Sequence, residues 1–158
     1  MFPPESGEIR SATPGDTEMV RTLVRTAYAK WVPVIGREPL PMKADYARAI
    51  REHRIDLLSI YGRIVGLIEM IMHPDHLFIE NLAVAPEHQG QGLGRRLLAH
   101  AEQTAAASGH TDIRLLTNAA FETNIALYKA VGYRIDREEP FLGGATVYMS
   151  KQAGVPAA

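Results

Sequence analysis

A glycine-dense turn, Gln89-Gly90-Gln91-Gly92-Leu93-Gly94, joins an apolar run to an amphipathic one, and that junction narrows the folds open to this chain. Upstream, His76 to Val84 (HLFIENLAV) reads as a strand stopped by Pro86. Downstream, Leu93, Leu97, Leu98, Ala101 and Ala105 recur at helical spacing until Ser108-Gly109. A strand that turns through glycines into a helix leaves the first-turn N–H groups unpaired and lets an anion approach the backbone closely. Two familiar phosphate loops are excluded by spacing: no Gly-Lys-Ser/Thr occurs, and the third glycine of the dinucleotide fingerprint would fall on Arg95.

The remaining pattern alternates helices and strands. Ile9 to Ala12 is a short strand, and Thr13-Pro14-Gly15-Asp16 is a helix start with Thr as N-cap, Pro at the first position and Asp in the first turn. Met19, Val20, Leu23, Val24, Ala27 and Tyr28 make the apolar stripe of that helix, which Pro33 is expected to end. A proline-rich loop from Trp31 to Met42 leads to a second helix through Tyr46, Ala49 and Ile50. Strands at 56–61 and 63–72, joined at Tyr61-Gly62-Arg63, form with 76–84 a three-strand antiparallel meander. After the central helix come a strand at 113–117, a helix at 123–131 closed by Gly132, and a strand pair at 133–136 and 145–150 around Gly143-Gly144.

Composition limits the chemistry. The 158 residues fit one domain, with 1–7 and 153–158 expected to be loose ends. Seventeen Lys and Arg against eighteen Asp and Glu give a net charge of −1, which predicts neither a nucleic-acid nor a membrane partner. The absence of cysteine removes disulfides, thiolate zinc sites and a cysteine nucleophile, and no His-x-x-x-His spacing suggests a metal. There is no long apolar run and no signal-peptide pattern near Met1, so a cytoplasmic location is expected.

The loop fits Gln/Arg-x-x-Gly-x-Gly/Ala and follows Val84-Ala85-Pro86; further on, Asn124-Ile125-Ala126-Leu127-Tyr128 precedes Gly132-Tyr133. In both motifs, and in their order and separation, the sequence resembles the GCN5-related N-acetyltransferase (GNAT) family, closely from Phe78 to Tyr133. The resemblance implies an α/β acyl-CoA N-acyltransferase fold: a mixed, mostly antiparallel sheet, flanked by helices and splayed between the strand ending at Val84 and the strand 113–117. It implies acetyl-CoA as co-substrate, with pantetheine along the backbone of Leu82, Ala83 and Val84 and pyrophosphate on the N–H groups of Gln89, Gly90, Gln91, Gly92, Leu93 and Gly94. Asn118 and Asn124 are both candidates for a cofactor contact, and helix capping is the other role open to Asn124.

By the same resemblance Tyr128 serves the leaving thiolate. Its spacing from Asn124 puts both on one helical face, with Leu127 and Val131 on a neighbouring face suited to the core. The attacking amine must lose a proton. Glu80, a carboxylate among apolar strand neighbours, is the candidate base or ammonium anchor, with pairing to a cation as the structural alternative. His76 is a weaker candidate, and His53, His73, His88, His100 and His110 read as loop or surface residues. Trp31 is the candidate wall of the acceptor pocket, and Tyr28 is a second one for which packing is the stronger reading; Arg37 and Glu38 meet either a charged acceptor or water. The resulting expectation is direct acetyl transfer to a primary amine of a small molecule or peptide, with backbone N–H near Leu82 binding the oxyanion. The alternatives are an acyl-CoA sensor without turnover, or transfer of a longer acyl group or to a protein N-terminus. The final strand pair leaves a homodimer open.

Overall fold

The computed structural model describes residues 7–153. Seven strands form one sheet in the order β1-β2-β3-β4-β5-β7-β6: β1 Glu8–Ser11, β2 Arg54–Ile60, β3 Arg63–Met72, β4 Leu77–Val84, β5 Asp112–Asn118, β6 Arg134–Phe141 and β7 Gly144–Gln152. Five α-helices accompany it: α1 Thr17–Tyr28, α2 Val32–Ile35, α3 Tyr46–Glu52, α4 Leu93–Ala107 and α5 Glu122–Ala130. All neighbouring strands are antiparallel except β4 and β5.

The sheet is a middle layer with a core on each face. Leu57 and Leu67 pack with Val20, Val24 and Tyr46 of α1 and α3, while their neighbours Leu58 and Ile68 pack with Leu97, Leu98 and Ala101 of α4. Burial on both sides explains why β2 and β3 read as nearly continuous apolar runs rather than as alternating ones. The β2–β3 turn has positive φ at Tyr61 (50°) and Gly62 (79°), the backbone that matches the twist of a tight hairpin.

Two features place the site. β4 and β5 share only the register pairs Leu77 with Ile113, Phe78 with Arg114 and Ile79 with Leu115, after which the strands part. On its other side β4 pairs with β3 through Glu69↔Asn81 and Met70↔Ile79, so Glu80 is the extra residue of a β-bulge. The bulge reverses the alternation: Leu77 and Ile79 belong to the core under α4, but Ala83 belongs to the core under α1, with Leu82 and Val84 now facing α4.

Several sequence expectations are corrected. Pro33 does not end a long helix: α1 stops at Tyr28, a 3-10 turn covers Ala29–Trp31, and Pro33 sits in the first turn of α2, where its missing N–H costs nothing. β6 runs on to Phe141 with Pro140 inside it; this is tolerated because β6 is an edge strand, exposed throughout and bearing Arg134, Asp136, Arg137, Glu138 and Glu139. Gly7 and Ala153 are buried, and the Ala153 N–H donates to Thr111 O at 2.7 Å; the remainder of the two expected loose ends lies outside the described residues. His100, read as a surface residue, is mostly buried and its Nε2 lies 2.6 Å from the Asp56 carboxylate.

Asp56 is 1% exposed and ties three elements: Ser11 Oγ of β1 (3.3 Å), Arg54 Nε of β2 (2.9 Å) and His100 of α4. Burial works to raise its pKa, but the His100 and Arg54 contacts outweigh it and the carboxyl sits below its ordinary value. The contribution to stability is therefore present above the unfolded carboxylate value of about 4 and is lost as pH falls through the lower folded-state value. Asp56→Asn is expected to lower stability by about 2 kcal/mol or more at pH 7, with the gap to the native protein narrowing in urea titrations below about pH 4.

Candidate active site

Two cavities open where β4 and β5 separate. The larger, about 500 Å³, lies between α3, the loop before it and the splayed strands; the smaller, about 360 Å³, runs along the end of β4 to the glycine turn. They share Tyr28, Leu82 and Tyr128 as lining residues, so they meet at the splay.

The smaller cavity gathers most of the residues expected around a phosphate-bearing ligand: Leu82, Ala83, Val84, Gln89, Gly90, Gly92, Leu93, Gly94 and Asn124. Gly90 and Gly92 have φ of 78° and 86°, left-handed backbone that glycine adopts without steric cost, and Gly92 caps α4. At Gly94 an added Cβ would come within 2.9 Å of Leu127 Cδ2, so a side chain here would press on the end of Leu127 where α4 packs on α5. The loop is pinned by Gln89, whose Nε2 donates to Val84 O (2.9 Å) and whose Oε1 accepts from Lys30 Nζ (2.8 Å). Lys30 also lies over the Trp31 ring at 5.0 Å, and partial burial lowers its pKa. Lys30 and Arg95 give this cavity two cationic side chains that sequence spacing did not single out. Gln91 is not among the lining residues; its Oε1 is buried without a hydrogen-bond partner.

The larger cavity holds the acids. Glu80 projects from the bulge into it and stays open to solvent on one side; the partial desolvation there, followed by the charge of Glu69, raises its pKa, with His53 opposing. Neither an ion pair nor a hydrogen bond engages Glu80 among the described residues, so the alternative of pairing to a cation is not realised there. Glu69, 4% exposed on β3, is 2.6 Å from His53 Nδ1. Both were missed from sequence, although a glutamate inside RIVGLIEMIM is a readable signal of the kind used for Glu80. His53, read as a loop or surface residue, does lie in the bend between α3 and β2, and that bend makes it a wall residue of the cavity. His76 stacks on His73 (4.5 Å) and pairs with Asp75, away from both cavities.

Tyr128 is the one buried residue of α5; Asn124, Leu127 and Val131 are half-buried, so the tyrosine and not Leu127 or Val131 is the main core contact. Its ring meets Tyr133 edge-on at 6.0 Å, and burial raises the phenol's pKa well above its usual range, so the proton stays on at neutral pH. Tyr28 donates to Asn81 Oδ1 (2.8 Å) and belongs to the core under α1. Trp31, expected at the acceptor wall, stacks on Phe121 (4.7 Å) and lines the smaller cavity instead. Asn118 lines the larger cavity, where its Oδ1 accepts the Ala120 N–H.

A glycine turn at a helix start, beside a splayed parallel pair and an acid-bearing bulge, matches a known family: the model described as acetyltransferase (GNAT) family covers residues 18–133. The chain belongs to the GNAT acetyltransferase family. The GNAT fold extends over nearly the whole chain. The PaiA N-acetyltransferase of Thermoplasma acidophilum, solved in complex with coenzyme A, superposes with a TM-score of 0.80 at 19% identity, over 93% of this chain and 99% of that one. The ribosomal-protein-S18-alanine N-acetyltransferase of Escherichia coli gives 0.70 at 21% identity, over 96% and 99%. A curated rat (Rattus norvegicus) relative, N-acetyltransferase family 8 member 3, is 29% identical over 79 residues, which is 46% of this chain and 35% of that protein. The chain thus matches about a third of the relative's length. Among the described residues no helix is long and apolar enough to cross a membrane.

The Gly94–Leu127 contact yields a double-mutant test. Gly94→Ala alone is expected to change stability by less than about 1 kcal/mol, the gain in helix propensity being offset by displacement of the Leu127 methyl; in Leu127→Ala, where that methyl is gone, the same change should be markedly more favourable in urea denaturation.

Proposed function

We propose that this chain is an acetyl-CoA-dependent N-acetyltransferase that moves an acetyl group directly to a primary amine of a small molecule or peptide. The observation that carries the reading is the meeting of a cationic, glycine-lined cavity with an acid-bearing one at Tyr128. Acetyl-CoA fits the first: the backbone of Gln89 to Gly94, the start of α4, Lys30 and Arg95 form a cradle for a pyrophosphate, and β4 beyond its last pair with β5 offers the backbone of Leu82 to Val84 to an amide-bearing arm. The PaiA neighbour, a coenzyme A complex, supports this. Bound there, acetyl-CoA would supply the acyl group as a thioester.

The chain's own residues then divide the work. The amine enters as an ammonium and gives its proton to Glu80, whose raised pKa brings it nearer the pH at which it must accept. The C–N bond forms as the C–S bond breaks; Tyr128, still protonated, gives its proton to the departing sulfur, and the surplus proton on nitrogen restores the phenol. The two cavities hold the reactants on either side of the splay, so that positioning contributes alongside proton transfer. The absence of cysteine favours this direct route over one through an enzyme thioester.

Release of the CoA thiol from acetyl-CoA, followed across amino acids, polyamines, aminoglycosides and short peptides, tests the reading; silence on every amine despite acetyl-CoA binding would sink it. Tyr128→Phe should reduce the single-turnover rate roughly 100-fold with little change in fold, since the phenol oxygen has no partner to lose among the described residues. Glu80→Gln should cost a similar factor and remove the acid limb of the rate profile, which is expected above the ordinary glutamate value of about 4.3. Because a raised carboxyl pKa means that ionisation is unfavourable in the folded state, Glu80→Gln should also melt no lower than the native protein at pH 7.

A further inference from the structure

The charges of the larger cavity do not cancel pair by pair. Arg48 is matched by Glu52 at 2.9 Å and Glu69 by His53, while Asp45 accepts the Arg48 N–H at the start of α3. Arg37 also lines this cavity and makes no ion pair among the described residues. Its Nη1 reaches only the Glu38 carbonyl, at a long 3.4 Å; its Nε is shut off from solvent with no hydrogen-bond partner, and its Nη2 has none among the described residues. With Nε closed off, the open side is the Nη1–Nη2 end, on which a guanidinium also takes a carboxylate through two parallel hydrogen bonds. Glu80, on the bulge of β4, is likewise without an ion pair, to Arg37 or to any other described residue, and Asp45 is held only by a backbone N–H. One cavity therefore carries an unmatched cation and an unmatched anion that do not neutralise each other. A ligand with both charges would match them.

We propose that Arg37 binds a carboxylate of the acceptor, which makes the acceptor an apolar amino acid rather than a simple amine or a polyamine. The identity of the reacting end rests on the acetyl-transfer reading: the amino group goes to Glu80, and the carboxylate goes to the Nη1–Nη2 end of Arg37. A phosphate dianion fits less well, because Glu80, Glu69, Glu52 and Asp45 line the same space and repel the second charge. The walls fix the third part of the acceptor: Phe121, Phe141, Leu116 and Leu40 offer apolar surface, and the Arg37 guanidinium itself lies 5.9 Å from the Phe141 ring. Gly36 in left-handed backbone (φ 76°) and the prolines at 39 and 41 restrict the segment that carries Arg37.

The test compares L-phenylalanine, 2-phenylethylamine and 3-phenylpropanoate on the native protein and on Arg37→Gln. Acetyl transfer is read as CoA release, and binding is read separately by calorimetry. The native protein should prefer phenylalanine to phenylethylamine in kcat/KM, and Arg37→Gln should shrink that ratio roughly tenfold or more. Calorimetry should show 3-phenylpropanoate bound by the native protein and weakened by a like factor in the variant, with Arg37→Lys intermediate. Carboxylate binding that depends on Arg37 without transfer to any amine would keep the subsite and overturn the transfer reading. Transfer with no preference for phenylalanine and an unchanged ratio in Arg37→Gln would overturn the subsite and keep the reading. Neither binding nor transfer would overturn both.

Discussion

The parallel pairing of β4 with β5 ends after Ile79 and Leu115, and the rest of the molecule is arranged around that ending. A strand that leaves its neighbour exposes backbone donors and acceptors that must be satisfied by other means. Here a side chain takes up part of the debt: the Gln89 amide donates to Val84 O at 2.9 Å. What is left between the strands is a gap that side chains do not fill, bounded by α5 and crossed by the chain from Phe121, in one core, to Tyr128, in the other. The bulge at Glu80 belongs to the same solution. Without the extra residue, the side chains beyond it would face the opposite layers, and Asn81 would not lie among the tyrosines of α1 and α3.

Electrostatics then separate the two halves of the gap. Lys30 and Arg95 stand at the glycine turn, whereas Glu69 and Glu80 stand on the far side of Tyr128. Among the described residues no ion pair joins the two sets, and Tyr28, Leu82 and Tyr128 line both cavities where they meet. The division follows from where the elements end: α1 delivers Lys30 just beyond its last turn, and α3 delivers His53 just beyond its own.

Much of this was legible in residues 78–133, where glycine spacing, helix periodicity and the asparagine–tyrosine pair each speak for one element. The succession of elements along the chain and the turn glycines were readable because each depends on local backbone chemistry, whereas the splay came only as what the family resemblance implied. The placement of Trp31, His53 and His100 was not, because a side chain's surroundings depend on which way a helix is rotated over the sheet, and nothing adjacent in sequence encodes that. Glu80 shows the boundary well. Its oddity in an apolar strand was plain, but the bulge that aims it arises from register against Glu69 and Asn81, a relation between distant residues. Pro33 misled for the opposite reason: a proline ends a helix from within but fits the opening turn of a new one, and sequence alone did not say which turn it occupied.

Asn81 has both ends of its amide engaged, accepting from Tyr28 at 2.8 Å and donating to Tyr46 at 3.1 Å. These two tyrosines stand at the end of α1 and the beginning of α3, so the amide joins the two feet of the intervening loop to the sheet. Chain-closure entropy makes such a clasp matter beyond its two hydrogen bonds. The segment between the tyrosines, with its glycine and prolines, is an arch with fixed footings, and its span is set by one side chain of β4 rather than by the arch itself.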